Sequence, residues 1–273
     1  MQPTPDTPES WDAASQGYAD RVAPFLMEEF ADALIDRLGV DSNSDVLEVG
    51  AGSGALTMAL FPRVKSVLAT DFSPAMIDLL SRRLRAAEAK NVRSEVMDGQ
   101  GLTLDDDGFD AAASSFAVML FPDRARGFAE LARVVRPRGR VVVSAWAGPD
   151  KFEVFGLLLT AMQAAFPDMP PPASPPPIFS LADPARFEQE MQVAGFRNIE
   201  IDTEARELEV ASFDEMWEML TVGAPPVQML LDRVGDEGRN RLRDGLRKLI
   251  DQRFGEGPIR TTNVATIGSG DAP

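Results

Sequence analysis

Cysteine and histidine are both absent from this 273-residue chain, and tyrosine occurs once, as Tyr18. The first absence excludes disulfides, thiolate metal centres and a thiol nucleophile. The second removes Ser–His relays and imidazole ligands for zinc, so no metal site is expected. Proton chemistry is left to Asp, Glu, Lys, Tyr18 or water. Long apolar runs are missing too, and no stretch approaches the ~20 residues of a membrane span. The opening residues, MQPTPDTPESWDAAS, lack the basic start and apolar segment of a secretion signal, so a cytoplasmic location is expected. Positive charge is also short: 27 Lys and Arg face 43 Asp and Glu, for a net charge of −16. Such a surface repels DNA and RNA, which argues against a nucleic-acid partner and for a small neutral or cationic substrate.

What is present is enough for a substantial core, since hydrophobic residues make up 44% of the chain. Residues 1–10 are Pro- and Thr-rich and read as a disordered leader. From Trp11 to Leu38 apolar residues recur at helical spacing, and Gly39 ends the pattern. Short apolar runs then alternate with helical ones. Strands are expected at Val46–Val49, Ser66–Thr70, Val92–Met97, Phe109–Phe116 and Arg140–Ala145. Beyond Trp146 come an apolar helix (Phe152–Phe166) and a Pro-rich connector (Pro167–Pro177). They are followed by a helix (Pro184–Gly195) and a strand (Asn198–Val210). A largely helical stretch (Phe213–Phe254) precedes a terminal strand (Ile259–Ile267). The pattern predicts an α/β fold: a Rossmann-like, seven-stranded, mostly parallel sheet with helices on both faces. The expected organisation is a cofactor-binding core over 11–146, then closing strands of the same sheet over 147–273. Helical cap insertions are expected at about 151–177 and 213–254.

The stretch DVLEVGAGSGALTMAL (Asp45–Leu60) passes from strand to helix through Gly50, Gly52 and Gly54. Such a turn brings bare backbone N–H groups to a ligand at the carboxyl edge of a sheet. Gly50-x-Gly52-x-x-Ala55 also satisfies a relaxed dinucleotide fingerprint, so the turn alone leaves NAD open. The acids at successive strand ends decide between the ligands. Glu48 stands where a pyrophosphate is repelled and a cationic group is welcome. Asp71 can bridge two ribose hydroxyls, and Asp98 can accept from an exocyclic adenine amine. A ligand with a cationic amino-acid end, a ribose and an adenine fits all three: S-adenosylmethionine.

These segments resemble the class I S-adenosylmethionine-dependent methyltransferases, in the flavour of the ubiquinone/menaquinone C-methyltransferases and related small-molecule enzymes. LEVGAGSG (Leu47–Gly54) is similar to the family's glycine signature, and ATDFSPAMI (Ala69–Ile77) to its ribose-binding loop. MDGQGL (Met97–Leu102) resembles the adenine-side segment. FDAAASSFAVMLFPD (Phe109–Asp123) and ARVVRPRGRVVVSAW (Ala132–Trp146) resemble the fourth-strand edge and the turn before strand five, with Pro137-Arg138-Gly139 where the family has Pro-Gly-Gly. The resemblance implies that Gly50, Ala51 and Gly52 lie against the methionine part of the cofactor, with Glu48 supporting their loop. It implies Asp71 at the ribose, Phe72 and Met76 beside the adenosine, Asp98 and Gly99 at the adenine, and Ser115 and Phe116 under the sulfonium. WDAASQGYA resembles the family's N-terminal closing segment, which makes Trp11 and Tyr18 a mobile lid over the cofactor.

The expected activity is methyl transfer to a small apolar or aromatic acceptor, with O- or C-methylation favoured and S-adenosylhomocysteine as coproduct. Ser114-Ser115-Phe116-Ala117 replaces the Asn/Asp-Pro-Pro-Tyr that the family uses on planar amines, which counts against nucleic-acid and protein amide methylation. The two insertions would supply an apolar lid from Phe152, Phe155, Phe166, Trp217 and Met219. No catalytic base can be named from the sequence, and a homodimer is allowed. The alternatives are a non-catalytic binder of the same cofactor and, behind it, an NAD-dependent oxidoreductase.

Overall fold

The computed structural model describes residues 7–169, 176–223, 225–255 and 257–273. At its centre is a seven-stranded sheet in the order β3-β2-β1-β4-β5-β7-β6. The strands are β1 (Asp45–Val49), β2 (Ser66–Asp71), β3 (Val92–Val96), β4 (Phe109–Ser115), β5 (Val135–Trp146), β6 (Arg197–Val210) and β7 (Ile259–Asp271). Strands β1 to β5 are parallel, and β7 runs antiparallel between β5 and β6. Every β1 residue from Val46 to Val49 is buried, as expected of a strand covered on both faces. Helices α2 (Ala31–Leu38), α3 (Ala55–Leu60) and α4 (Pro74–Ala86) pack on one side, α5 (Arg124–Val134) and α7 (Pro184–Val193) on the other. The sheet thus has the expected Rossmann-like, mostly parallel form. Strand order reverses between β1 and β4, and the crevice at their carboxyl ends is where such sheets bind ligands.

The N-terminal helix differs from the single element expected over Trp11–Leu38. Helix α1 (Pro8–Arg21) begins earlier, with the Thr7 hydroxyl accepting from Ser10 N, so residues 7–10 are a cap and first turn. Residues 1–6 of the expected leader lie outside the described residues. The chain then passes through a π turn (Ala23–Met27) and a 3₁₀ turn (Glu28–Phe30) before α2. Pro24 accounts for the break: it has no N–H to return to the carbonyl four residues back, so the ladder widens locally.

Two strands extend several residues beyond their expected ends. β7 extends past Ile267 through Gly268, Ser269 and Gly270, poor strand formers. It lies between two partners, and packing demands the glycines: a Cβ on Gly268 would meet the Phe187 ring at 2.8 Å. β5 starts at Val135, ahead of the expected Arg140, because it already pairs there with Phe109 across a bulge.

The second half contributes α6 (Glu153–Ala165), α8 (Phe213–Val222) and α9 (Pro225–Phe254), the last broken at Gly235, whose φ is 65°. α6 packs on α9, and α8 packs on both α9 and α1. Most of the Pro-rich connector falls at 170–175, outside the described residues, and Pro177–Phe179 forms a 3₁₀ turn. Among the described residues no helix is long and apolar enough to cross a membrane.

Candidate active site

A cavity of about 700 Å³, partly open to solvent, lies at the carboxyl ends of β1, β2 and β4. Its floor is the glycine turn. Gly50 N and Ala51 N both donate to Thr70 O, at 2.8 and 2.9 Å, while Thr70 Oγ1 donates to Glu48 O. Gly50 and Gly52 have φ of 71° and 55°, a region side chains avoid. Their surroundings differ. A Cβ on Gly50 would meet the Ala117 Cβ at 2.2 Å, whereas a Cβ on Gly52 would approach only Tyr18, at 3.7 Å. Gly52 therefore leaves open a cradle that a side chain would fill.

Asp71 ties this turn to the next loop. Its Oδ2 accepts from Gly52 N at 2.8 Å and its Oδ1 from Ser73 N at 2.9 Å. Burial pushes the carboxyl up to about 6, against the lowering effect of these amides. Each oxygen retains a lone pair, and Asp71 lines the cavity, so it can accept from a ligand's hydroxyls as well. Ser73, capping α4 by accepting from Met76 N, relieves Asp71 of that duty.

The structure brings Trp11, Tyr18, Gly50, Gly52, Asp71, Phe72, Met76, Asp98, Gly99, Ser115 and Phe116 to this one cavity. Asp98 Oδ1 accepts from Gln100 N and Gln100 Nε2, which orders its loop and leaves Oδ2 for a ligand. Glu48 and Ala51 lie outside the cavity wall. Ala51 serves through its backbone. The Glu48 side chain is fully buried beneath the turn, where Oε2 accepts from Thr57 Oγ1 at 2.5 Å and Oε1 has no partner. Burial pushes its carboxyl up to about 8. The acid thus anchors α3 to β1 under the loop and does not face a ligand cation directly.

Sequence reasoning missed Met97, Gln100, Ala117, Leu120, Phe121 and Pro122 in the wall, and Asp12 behind it. Asp12 Oδ1 accepts from Ser73 Oγ at 2.6 Å and Ala75 N at 3.1 Å, docking α1 on the start of α4. The available signal was its place beside Trp11 in the N-terminal segment. At its other end α1 meets α8 backbone to backbone. A Cβ on Gly17 would lie 2.6 Å from Val222 Cγ1, and one on Gly223 would lie 2.8 Å from Gly17 backbone atoms. Arg21 and Glu218 pair alongside at 3.2 Å.

A second cavity, about 690 Å³ and also partly open, adjoins the first. Trp11, Tyr18, Phe116 and Leu120 face both. Phe116 has φ of 56°, a strained setting for an aromatic residue, and its N–H is held by Ser144 O and Ser144 Oγ. Trp146 lies between Phe116 and Phe152, with ring centroids 4.3 and 4.0 Å away. Phe152, Phe155 and Met219 line this cavity as expected of the cap. Phe166 and Trp217 do not. Phe166 packs under the Arg241 guanidinium, and Trp217 stacks on Phe213.

The donor set suits S-adenosylmethionine: an open glycine cradle, a buried carboxylate and a second acid on the same cavity wall. Comparison with known proteins agrees. Residues 46–139 match the methyltransferase domain family. Over that stretch the chain carries a methyltransferase domain. Among its relatives, an uncharacterized protein of Mycobacterium bovis is 29% identical over 156 residues, covering 56% of each chain. A demethylmenaquinone methyltransferase of Corynebacterium kroppenstedtii is 36% identical over 113 residues, covering 41% of this chain and 46% of that one. The matched stretch thus spans about half the length of these relatives. In fold, the chain is similar to Haemonchus contortus phosphoethanolamine N-methyltransferase 2, solved with phosphomonomethylethanolamine and S-adenosylhomocysteine. The TM-score is 0.55 at 15% identity, over 90% of this chain and 52% of that one.

Proposed function

We propose that the chain holds S-adenosylmethionine on its glycine and acid loops and transfers the methyl group to a small apolar or aromatic molecule in the adjoining cavity. The observation that carries this reading is the common wall: Trp11, Tyr18, Phe116 and Leu120 face both spaces, so ligands in the two meet there. The bound donor supplies an electrophilic methyl carbon on a positively charged sulfur. The chain's share of the work is then to position and to exclude water. Asp71 offers its spare lone pairs to the ribose, Asp98 its Oδ2 to the adenine, and Gly52 its bare Cα to the methionine part. Phe72 and Met76 flank the adenosine, and Ser115 and Phe116 border the transfer point. Helices α6, α8 and α9 close the acceptor space as a cap. A quinone-like or phenolic acceptor matches both the apolar wall and the name of the Corynebacterium relative.

Calorimetry with S-adenosylhomocysteine tests the first half, with a low-micromolar Kd or better as the expected result. Incubation with labelled S-adenosylmethionine and fractionated cell extract, followed by mass spectrometry, tests the second. No heat and no thermal shift with either form of the cofactor would remove the reading altogether.

A further inference from the structure

The sheet ends on one side at β3, and among the described residues no strand pairs with its outer rim. Backbone N–H and C=O groups turn to alternate sides along a strand. Asn91 O accepts from Val67 N and Met97 N donates to Asp71 O, both at 2.9 Å, so the odd-numbered residues face β2. Val92, Ser94 and Val96 therefore direct their N–H and C=O outward, a template for a further strand. Their side chains lie on the α4 face, where the Ser94 and Ser81 hydroxyls share a hydrogen bond at 2.9 Å. Arg93 and Glu95 lie on the opposite face, paired with each other. Helix α4 leaves the rim uncovered: an open groove of about 610 Å³ runs beside Ser81, Arg85, Lys90, Val92 and Ser94. Val96, the last residue of the strand, is 52% exposed.

The edge reads Val92-Arg93-Ser94-Glu95-Val96, an order complementary to its own reverse. We infer that a second copy of this chain adds to β3, antiparallel, about a two-fold axis through Ser94. Only residues that face outward can exchange hydrogen bonds, and this restricts the register. A slip one step either way sets Arg93 against Arg93 or Glu95 against Glu95, like charges directly opposite. The register centred on Ser94 sets Arg93 of each copy against Glu95 of the other. On the opposite face it sets Val92 against Val96, which covers the exposed valine. The Val92–Val96 and Ser94–Ser94 pairs each exchange both of their N–H···O bonds. Such a contact uses the same patch on both copies and closes on itself, so association stops at two. The far edge of the sheet cannot do the same. Between Ile199 and Val210, β6 carries Glu200, Asp202, Glu204, Glu207 and Glu209 against Arg206 alone, and two such strands repel.

Sedimentation velocity on the full chain, from about 1 to about 300 μM, tests the seam. A strand of 5 residues gives a small interface, so a monomer–dimer equilibrium with a Kd in the micromolar range is expected, with no larger species. Arg93→Glu and Glu95→Arg should each weaken the dimer about tenfold or more, because both symmetry-related charge pairs become repulsive. An equal mixture of these two variants should recover it as a heterodimer, and so should both exchanges made in one chain. Ser94→Pro should leave a monomer. It removes an outward N–H that the fold itself does not use, which an edge strand tolerates, so the monomer's melting temperature should hardly move. The inference is overturned if the parent chain is monomeric throughout that range, or if its mass grows beyond the dimer. It is equally overturned if either charge variant or a folded Ser94→Pro dimerises as the parent does, or if the mixed variants stay monomeric.

Discussion

The two cavities share a wall and are built by opposite means. The cofactor side is made of backbone: glycines with positive φ, amides directed by Asp71, short loops at strand ends. The second cavity is made of side chains: Phe152, Phe155, Met219 and Trp146 gathered from distant elements. A backbone-built site binds one ligand shape and resists change, because each position depends on a hydrogen bond or a missing Cβ. A side-chain-built site can be repacked at a cost in stability alone. The contrast teaches where specificity resides and predicts how substitutions divide.

Asp71→Ala should give the largest effect. Two hydrogen bonds to a carboxylate, at ~1.5–3 kcal/mol each, imply a loss in S-adenosylhomocysteine affinity on the order of a hundredfold or more. Calorimetry on the folded variant checks it, and an unchanged Kd would confine Asp71 to tying loops. Phe152→Ala should do the reverse. Loss of a buried ring costs ~3–5 kcal/mol, read as a lower Tm, while affinity for S-adenosylhomocysteine stays within about twofold. A large fall in that affinity would erase the division between the cavities.

A subtler test lies under the glycine turn. Glu48 and Asp71 are both pushed up by burial, to about 8 and about 6. The folded chain therefore binds more protons than the unfolded chain between the ordinary carboxylate range and these values, and stability falls as pH rises across that window. Thermal melts should show Tm declining from about pH 5 to about pH 8. Glu48→Gln, neutral throughout, should remove the decline above about pH 6 and weaken it below, where Asp71 contributes alongside Glu48. A melt profile identical to that of the parent chain would show that Glu48 is ionised at neutral pH. The smallest expected effect is at Asp12. Asp12→Ala removes the contacts docking α1 on α4 and should raise hydrogen exchange across residues 10–20 in the free protein, with protection restored by S-adenosylhomocysteine. Equal protection with and without ligand would make α1 a fixed part of the core.

The same division governs how much could be read from the sequence. The parallel sheet, the glycine turn and the acids at Asp71 and Asp98 were legible because each is a local pattern: strand, turn and next helix lie within a few residues. Glu48 was legible as a support for the glycine loop, but its partner Thr57 was not, since strand alternation decides which face its side chain takes. The wall of the second cavity was legible only as apolar character. Phe166, at the end of α6, and Trp217, in α8, pack elsewhere, because the face a cap helix presents depends on partners far away in the chain. The break at Pro24 was visible as a proline, but its consequence, a π turn that redirects α1, depends on what α1 docks against.

That docking has a consequence for traffic. Gly17 touches Gly223 and Asp12 holds the start of α4, so a single helix is fastened to both compartments. On the function proposed above, lifting it to release the spent cofactor would open the second cavity in the same movement, and a product that leaves first would need a door elsewhere.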